Sequence, residues 1–247
     1  IRPWLVVRWG NLRSSRIGHF AGNTELYLCE RDAGINLPKQ RSVDFFFMDR
    51  LICNCQLVKM WKTRLHIWPN WLRSPVYMAN ILIPGGAVHL VGNNTQGDRD
   101  VHILEDRSTP HLRFTAEEEA RGEAELREMG IPNGTPFVCL IGRDSAYLDT
   151  HLALDWNYHN YRDSDIKNYV LAAEELADRG YFVIRMGAVV HQPLKSNHPR
   201  ILDYASNGLR SDFMDIYLGA KCEFCVSGLT GFDAVPLIFR RPIAFVN

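Results

Sequence analysis

Three short polar segments in the second half of the chain each follow an apolar run and contain residues suited to binding an anion. They are Arg143-Asp144-Ser145, Arg185-Met186-Gly187 and Ser227-Gly228-Leu229-Thr230-Gly231. Arginine can donate two parallel hydrogen bonds to a phosphate. A turn of small residues ahead of a helix presents backbone N–H groups at the positive end of the helix dipole. Together the segments predict a phosphorylated ligand, such as a nucleotide diphosphate.

The stretch "YHNYRDSD" (158–165) places aromatic and hydrogen-bonding side chains just before an expected helix. Tyr158 and His159 suit contacts with a base, a ribose or a sugar. The alternative is a capping loop in which Asp163 or Ser164 begins the helix. Both interpretations stay open, because the cap does not need Tyr158 or His159.

His19 is the candidate catalytic residue of the first half. It lies in "RIGHFAGN" (16–23), between Gly18 and Gly22, where a turn leads into a helix. We expect this histidine to face a cleft between two α/β units, where a neutral imidazole can take a proton from a hydroxyl. The alternative is a histidine that only caps or packs.

Other chemistries have little support. The sequence contains neither a Walker A motif nor GxGxxG, which disfavours phosphate-binding-loop hydrolysis and dinucleotide oxidoreduction. Cys53-x-Cys55 and Cys222-x-x-Cys225 are weak zinc motifs, because "CEFCV" is predicted as a strand, where positions three apart point to opposite faces. We therefore expect no metal site. Six cysteines in 247 residues are too sparse for a disulfide scaffold and indicate a reducing compartment.

The composition is that of a globular protein, with 46% apolar and 23% charged residues. A net charge of zero gives no support for nucleic-acid binding. No apolar run approaches the roughly 20 residues of a transmembrane helix, although peripheral membrane association stays open. The chain begins without a methionine, so we expect a processed or cut N-terminus. We also expect further helix after the strand "PIAFVN" (242–247).

Apolar periodicity predicts two α/β units. The second half has the order β-α-β-β-α-β-α-β with nearly continuous apolar strands, and the first half has the order β-α-β-α. Such patterns are typical of mostly parallel sheets with helices on both faces. A charged helix at 114–132 leads into the second unit. We predict two α/β domains, at 1–115 and 116–247.

Four segments carry a resemblance to a known family. They are "RIGHFAGNTELYLCERDAG", "PFVCLIGRDSAYL", "YHNYRDSDIKNYVLAAEELADRGYFVIRMGA" and "SDFMDIYLGAKCEFCVSGLTGFDAVPLIFRRPI". The chain resembles a sequence-defined, little-characterised family of bacterial glycosyltransferases of the GT-B type, most strongly from Pro136 onward. The resemblance implies two Rossmann-like domains facing a cleft. It also implies a nucleotide-sugar donor on the C-terminal domain, an acceptor on the N-terminal domain, and metal-independent transfer without a cofactor.

The resemblance also implies roles for individual residues. The donor-binding set becomes Arg143, Asp144, Ser145, Tyr158, His159, Arg185, Gly187, Asp212, Ser227, Gly228, Thr230, Gly231 and Asp233. Within it, Asp212 or Asp233 would hold ribose or sugar hydroxyls, and His19 would be the base of an inverting reaction.

The implied reaction is glycosyl transfer to a glycan, lipid-linked or protein acceptor in bacterial surface glycan or glycoprotein synthesis. It would take place in the cytoplasm or at the inner face of the membrane. A sugar-nucleotide epimerase or hydrolase on the same fold, and a non-enzymatic module that binds phosphorylated glycans, stay open.

Overall fold

The computed structural model describes residues 4–91, 100–151, 161 and 163–246, and the chain divides into two compact units. Unit 1 is Ile1–Arg113 and unit 2 is Phe114–Asn247. The division lies next to the predicted boundary after residue 115. Each unit is built around its own parallel sheet.

Unit 1 alternates strands and helices around a three-stranded sheet. Its elements are β1 (Leu5–Leu12), a π-helix (His19–Asn23), α1 (Thr24–Asp32), β2 (Arg41–Met48), α2 (Cys55–Trp61), β3 (His66–Ile67), a 3₁₀ turn (Asn70–Leu72), α3 (Arg73–Leu82), a 3₁₀ turn (Gly86–His89) and α4 (Leu104–Arg107). The strand order is β1-β2-β3, and both pairings are parallel. The short β3 and α4 were not predicted from the sequence.

Packing of apolar helix faces on this sheet gives unit 1 its core. Along β1 the odd-numbered side chains are half-buried and the even-numbered ones buried, as expected for a strand with unequal faces. Phe47, Leu57 and Trp61 are fully buried, and the Trp61 indole donates to the Phe20 carbonyl at 3.0 Å. That bond ties α2 to the π-helix that contains His19.

Unit 2 has a five-stranded sheet and longer helices. Its elements are α5 (Ala116–Glu128), β4 (Phe137–Ile141), α6 (Ala146–His151), a 3₁₀ turn (Ile166–Tyr169), α7 (Val170–Asp178), β5 (Phe182–Arg185), β6 (Ile201–Leu202), α8 (Asp212–Lys221), β7 (Cys225–Ser227), a 3₁₀ turn (Gly231–Asp233), α9 (Ala234–Ile238) and β8 (Ile243–Phe245). The strands are all parallel in the order β6-β5-β4-β7-β8. Counted along unit 2 this is 3-2-1-4-5, the order of a Rossmann sheet.

Local capping explains where the helices of unit 2 begin. Thr115 and Glu118 form a reciprocal capping box at α5, and the Ser211 hydroxyl accepts from the Met214 N–H at α8. The helix expected at Asp163 or Ser164 instead begins as a 3₁₀ turn at Ile166, where the Asp165 carboxylate accepts from the Lys167 N–H.

The predicted fold class, α/β with parallel sheets flanked by helices, is confirmed in both units. The sequence analysis missed α6, because "AYLDTH" is short and has no apolar period. Within the described residues, no helix has the length and apolarity needed to cross a membrane.

Candidate functional site

The direction of chain connection reverses between β4 and β7. The chain leaves β4 towards β5 on one side and leaves β7 towards β8 on the other, while β4 and β7 are paired neighbours. In open α/β sheets this switch point leaves a crevice beyond the carboxyl ends of the strands, where ligands bind. The loops after Ile141 and Ser227 therefore define the candidate site.

Glycines allow these two loops to approach closely. A Cβ atom on Gly228 would lie 2.8 Å from the Tyr169 hydroxyl and 3.2 Å from the Arg143 backbone nitrogen. The Tyr169 hydroxyl is hydrogen-bonded to the Ser164 hydroxyl at 3.0 Å. Gly228 therefore brings the loop after β7 against the loop after β4, and Tyr169 is a site neighbour that the sequence analysis did not predict.

The turn after β7 is held by its own side chains. The buried Ser227 hydroxyl donates to Asp233, whose other carboxylate oxygen accepts from the Thr230 N–H at 2.8 Å. The Thr230 hydroxyl accepts from the Phe232 N–H at 3.2 Å. Burial raises the pKa of Asp233, although the bonds from Ser227 and Thr230 oppose that shift. Asp233 therefore rigidifies the turn from inside, and Leu229 and Gly231 are its exposed residues.

Arg143 lies at the carboxyl end of β4 with its side chain 11% exposed. Its Nε is 3.2 Å from the Asp163 carboxylate, and its carbonyl accepts from the Ser164 N–H at 2.9 Å. Burial raises the pKa of Asp163, and Arg143 opposes that rise. Arg143 is at the predicted place, but a phosphate would have to compete with Asp163 for it.

The position of Arg185 corrects the expectation that two arginines converge on a phosphate. Its side chain is 1% exposed and donates to Asp203 at 3.3 Å and to the Gln192 carbonyl at 3.1 Å. It also lies 3.9 Å from Asp144. An arginine inside the fold cannot present its guanidinium to a ligand, so its place in the structure is beneath the site, where it holds the loops after β4 and β6.

Ser145 belongs to an exposed polar cluster with a histidine from the loop after β5. The Ser145 hydroxyl donates to Asp149 at 2.7 Å and lies 3.2 Å from His191 Nε2. Asp149 approaches that same nitrogen at 3.5 Å, whereas a catalytic triad places its carboxylate on the other ring nitrogen. The cluster is therefore suited to polar binding and not to activating Ser145.

Asp144 connects the same two loops. One of its carboxylate oxygens accepts from the Ala146 N–H at 3.1 Å and thereby caps α6, and the other accepts from the His191 N–H at 3.3 Å. Gly187, in the loop after β5, has no room for a side chain, since a Cβ there would lie 2.6 Å from Val190. Both residues shape the edge of the sheet.

Asp212 lies apart from this cluster, in the first turn of α8. Its carboxylate is 37% exposed and 3.9 Å from Arg210. Arg210 makes a shorter contact of 2.6 Å with the buried Asp215, which also accepts from the Tyr204 hydroxyl at 3.2 Å. Burial raises the pKa of Asp215 to about 6, against the opposing effect of Arg210. Tyr158 and His159, the remaining predicted donor contacts, lie outside the described residues.

His19 begins the π-helix that follows the carboxyl end of β1, and its Nε2 lies 3.5 Å from Arg16. The loop before it is fixed by Asp49, at the end of β2. Asp49 accepts from the Asn11 amide at 3.0 Å and from the Ser15 hydroxyl at 2.9 Å. The sequence analysis did not select Asp49, although its place directly after a strand was the available signal.

The cysteine pairs of the weak zinc motifs take different places. Cys222 and Cys225 are fully buried in unit 2, and burial raises the pKa of the Cys225 thiol. Cys55 is exposed at the start of α2, next to the half-buried Cys53. None of the six cysteines forms a disulfide, and neither pair belongs to a metal-sized cluster of described residues.

Two solved glycosyltransferases share this fold over nearly the whole chain. ADP-heptose LPS heptosyltransferase II of E. coli superposes with a TM-score of 0.52 at 13% sequence identity, over 97% of this chain and 83% of its own. The family 9 glycosyl transferase of Veillonella parvula gives a TM-score of 0.55 at 10% identity, over 97% and 79%. No protein-family model and no curated protein matches the sequence. At these identities the similarity establishes the fold alone.

Proposed function

We propose that this protein is a glycosyltransferase that moves a sugar from a nucleotide-sugar donor to an acceptor hydroxyl. The observation that carries the proposal is the fold shared with two glycosyltransferases over 97% of the chain. One of those proteins is named for an ADP-heptose donor, which makes ADP-heptose the first donor to test. The acceptor would be a glycan, a lipid-linked sugar or a protein, and the reaction would serve bacterial surface glycan or glycoprotein synthesis.

In this proposal unit 2 binds the donor at the switch point between β4 and β7. The N–H groups of Leu229, Thr230 and Phe232 are bonded within the turn, so the exposed Gly231 is where the turn would offer a backbone N–H to the diphosphate. Arg143 adds positive charge when a phosphate displaces Asp163. Ser145 and His191 offer hydrogen bonds at the same edge. Buried Arg185 acts indirectly by holding Asp144 and Asp203 in place.

The chemical step needs a base and a leaving group. The acceptor oxygen would attack the anomeric carbon, the bond from that carbon to the diphosphate would break, and the nucleoside diphosphate would leave. His19 is our candidate for taking the acceptor proton. Stabilising the diphosphate with Arg143 and the backbone at Gly231 would make the transfer independent of a metal. We place the reaction in the cytoplasm, in keeping with six free thiols.

Donor binding can be tested by calorimetry or thermal shift with ADP, UDP, GDP and CMP, followed by ADP-heptose. We expect one nucleotide to raise the melting temperature. Arg143→Ala should weaken that nucleotide about 10-fold or more, since charged hydrogen bonds contribute about 1.5–3 kcal/mol. Arg179→Ala is the matched control, because Arg179 is exposed at the end of α7 and pairs only with Glu175 among its described ion pairs. Absence of binding by every nucleotide at millimolar concentration would contradict the proposal.

The base is tested separately from donor binding. His19→Ala should lower kcat and leave the nucleotide affinity unchanged, whereas His66→Ala, which alters an exposed histidine on β3, should change neither. Conversion of the donor without an acceptor would instead indicate an epimerase or hydrolase. Binding without turnover across an acceptor panel would indicate a binding module.

A further inference from the structure

A second group of chemically reactive side chains lies within unit 1. Glu25, Cys29 and Asp32 occupy one face of α1, because positions four and seven residues apart lie above one another on a helix. The segment that follows α4 brings His111 to that face. None of these residues takes part in the proposed transfer.

The three innermost side chains have the spacing of ligands around one metal ion. His111 Nδ1 lies 3.1 Å from Glu25 Oε1, and Cys29 Sγ lies 3.9 Å from the same oxygen. All three ligand atoms lie within 4.8 Å of one another. Tetrahedral zinc, with bonds of about 2.0–2.3 Å, requires ligand atoms about 3.3–3.6 Å apart. Small side-chain movements would therefore bring the three atoms into bonding distance of a common ion.

The remaining nitrogen of His111 makes the contact that metal-binding histidines usually make. Its Nε2 lies 3.0 Å from the Asp32 carboxylate. Such a carboxylate fixes the ring orientation and the tautomer that leaves the other nitrogen available to the metal. Asp32 is 59% exposed, so it closes the outer side of the group, while Glu25 and Cys29 are 0% and 2% exposed.

We propose that Glu25, Cys29 and His111 bind a divalent transition metal, with zinc as the best-fitting ion. A thiolate, an imidazole and a carboxylate are ligands typical of zinc, and the thiolate and the imidazole are poor ligands for magnesium or calcium. The metal would join the segment around His111 to α1 and so stabilise unit 1. A nucleophilic role for Cys29 is a weaker explanation, because a thiol that is 2% exposed is out of reach of a substrate.

The cluster could not be recognised from motif spacing. Glu25 and His111 are 86 residues apart, far outside the short intervals of zinc motifs. Only the return of the chain after α4 brings His111 to α1.

The test uses the full chain, stripped with a chelator and then titrated with Co²⁺. We expect one cobalt per chain with a thiolate-to-cobalt charge-transfer band, displacement of cobalt by Zn²⁺, and a higher melting temperature with zinc. Cys29→Ser should abolish the band. Cys55→Ser, which alters an exposed cysteine of the same unit, should retain it.

Asp32→Asn provides a test that does not depend on a buried substitution. We expect it to fold and to weaken zinc about 10- to 100-fold, the effect usual for loss of a carboxylate behind a metal-binding histidine. The proposal is overturned if the wild-type chain binds no cobalt at micromolar concentration. It is also overturned if Cys29→Ser keeps the charge-transfer band, or if Asp32→Asn binds zinc as tightly as the wild type.

Discussion

The central strands of the two sheets are buried in different ways. In unit 2, all five residues of β4 are apolar and buried, and Arg185, the charged residue of the strands, is the last residue of β5. In unit 1, Arg8 of β1 is 4% exposed and pairs with Asp44 of β2, directly opposite it in the sheet. The charged side chain of the unit 2 sheet therefore lies at a strand end, whereas in unit 1 a buried ion pair joins two neighbouring strands.

The Arg8–Asp44 pair is fully hydrogen-bonded. Arg8 donates to both carboxylate oxygens, at 2.7 and 2.5 Å, and to the Asn36 carbonyl at 2.9 Å. Tyr27 donates to the same carboxylate, and burial raises the pKa of its hydroxyl. Buried ion pairs are costly to break, because the remaining charge loses its partner in a medium of low dielectric constant.

The largest expected effect is that of Asp44→Ala. It should lower the free energy of unfolding by about 3–5 kcal/mol, since it leaves Arg8 buried without its counter-charge. Urea unfolding followed by tryptophan fluorescence reports mainly on this unit, because five of the six tryptophans precede residue 114. The double variant Arg8→Met/Asp44→Leu should recover much of the loss. If Asp44→Ala is as stable as the wild type, unit 1 does not depend on its buried ion pair and the proposed difference between the two sheets is wrong.

The second prediction concerns the buried acid of unit 2, Asp215. Its pKa is about 6 in the folded state against an ordinary value of 3.8, and burial is the main cause. Its contribution is fully favourable below about pH 4 and is lost as the pH rises towards 6, by about 3 kcal/mol at most. Asp215→Asn should remove that part of the pH dependence.

This prediction is measured by urea unfolding at pH 4, 5, 6 and 7, followed by circular dichroism. Asp212→Asn is the matched control, because Asp212 is in the same turn but is far more exposed. An identical pH slope for wild type and Asp215→Asn would contradict the raised pKa.

Gly122→Ala tests how closely α5 and α8 pack. A Cβ at this position would lie 2.2 Å from the Tyr217 ring. Alanine ordinarily stabilises a helix by about 1 kcal/mol over glycine, but this overlap should reverse the sign and destabilise unit 2 by about 1–3 kcal/mol. Thermal unfolding of Gly122→Ala beside Glu128→Ala, on the exposed end of α5, measures the difference. A stabilised Gly122→Ala variant would show that the helices can separate.

The smallest expected effect compares two threonine caps of unit 2. Thr115→Ala and Thr230→Ala should each lower the stability by about 1 kcal/mol through loss of a capping hydroxyl. Only Thr230→Ala should also weaken nucleotide binding, because Thr230 lies at the proposed donor site. Calorimetry measures the affinity of each variant for the nucleotide that binds the wild type. Equal affinities for the two variants would contradict a donor site at Thr230.

Much of the fold was predictable because its signals are local. The apolar strands of unit 2 and the charged helix at 114–132 depend on neighbouring residues, and both were predicted. The short α6 and β3 were not, since elements of two to six residues are stabilised mainly by tertiary contacts.

The candidate site was predictable only in position. The rule that ligands bind beyond the carboxyl ends of parallel strands selected the loops at Arg143 and Ser227. It could not reveal that Arg185 points into the fold, because the last residue of a strand can face either side and the partners Asp203 and Gln192 come from other loops. His191 was missed for the same reason, since its contacts with Asp144 and Ser145 are distant in sequence.

The sequence by itself determined that the chain forms two α/β units with parallel sheets, and it predicted the strand ends at which a ligand would bind. Apolar periodicity and helix capping depend on a few consecutive residues, so they can be recognised in the sequence without knowledge of the fold. Only the tertiary structure decided which charged side chains are open to a ligand and which are paired with other groups inside the protein. It paired Arg8 with Asp44, buried Arg185 and carried His111 to α1, because burial and long-range contact depend on how the chain returns to itself.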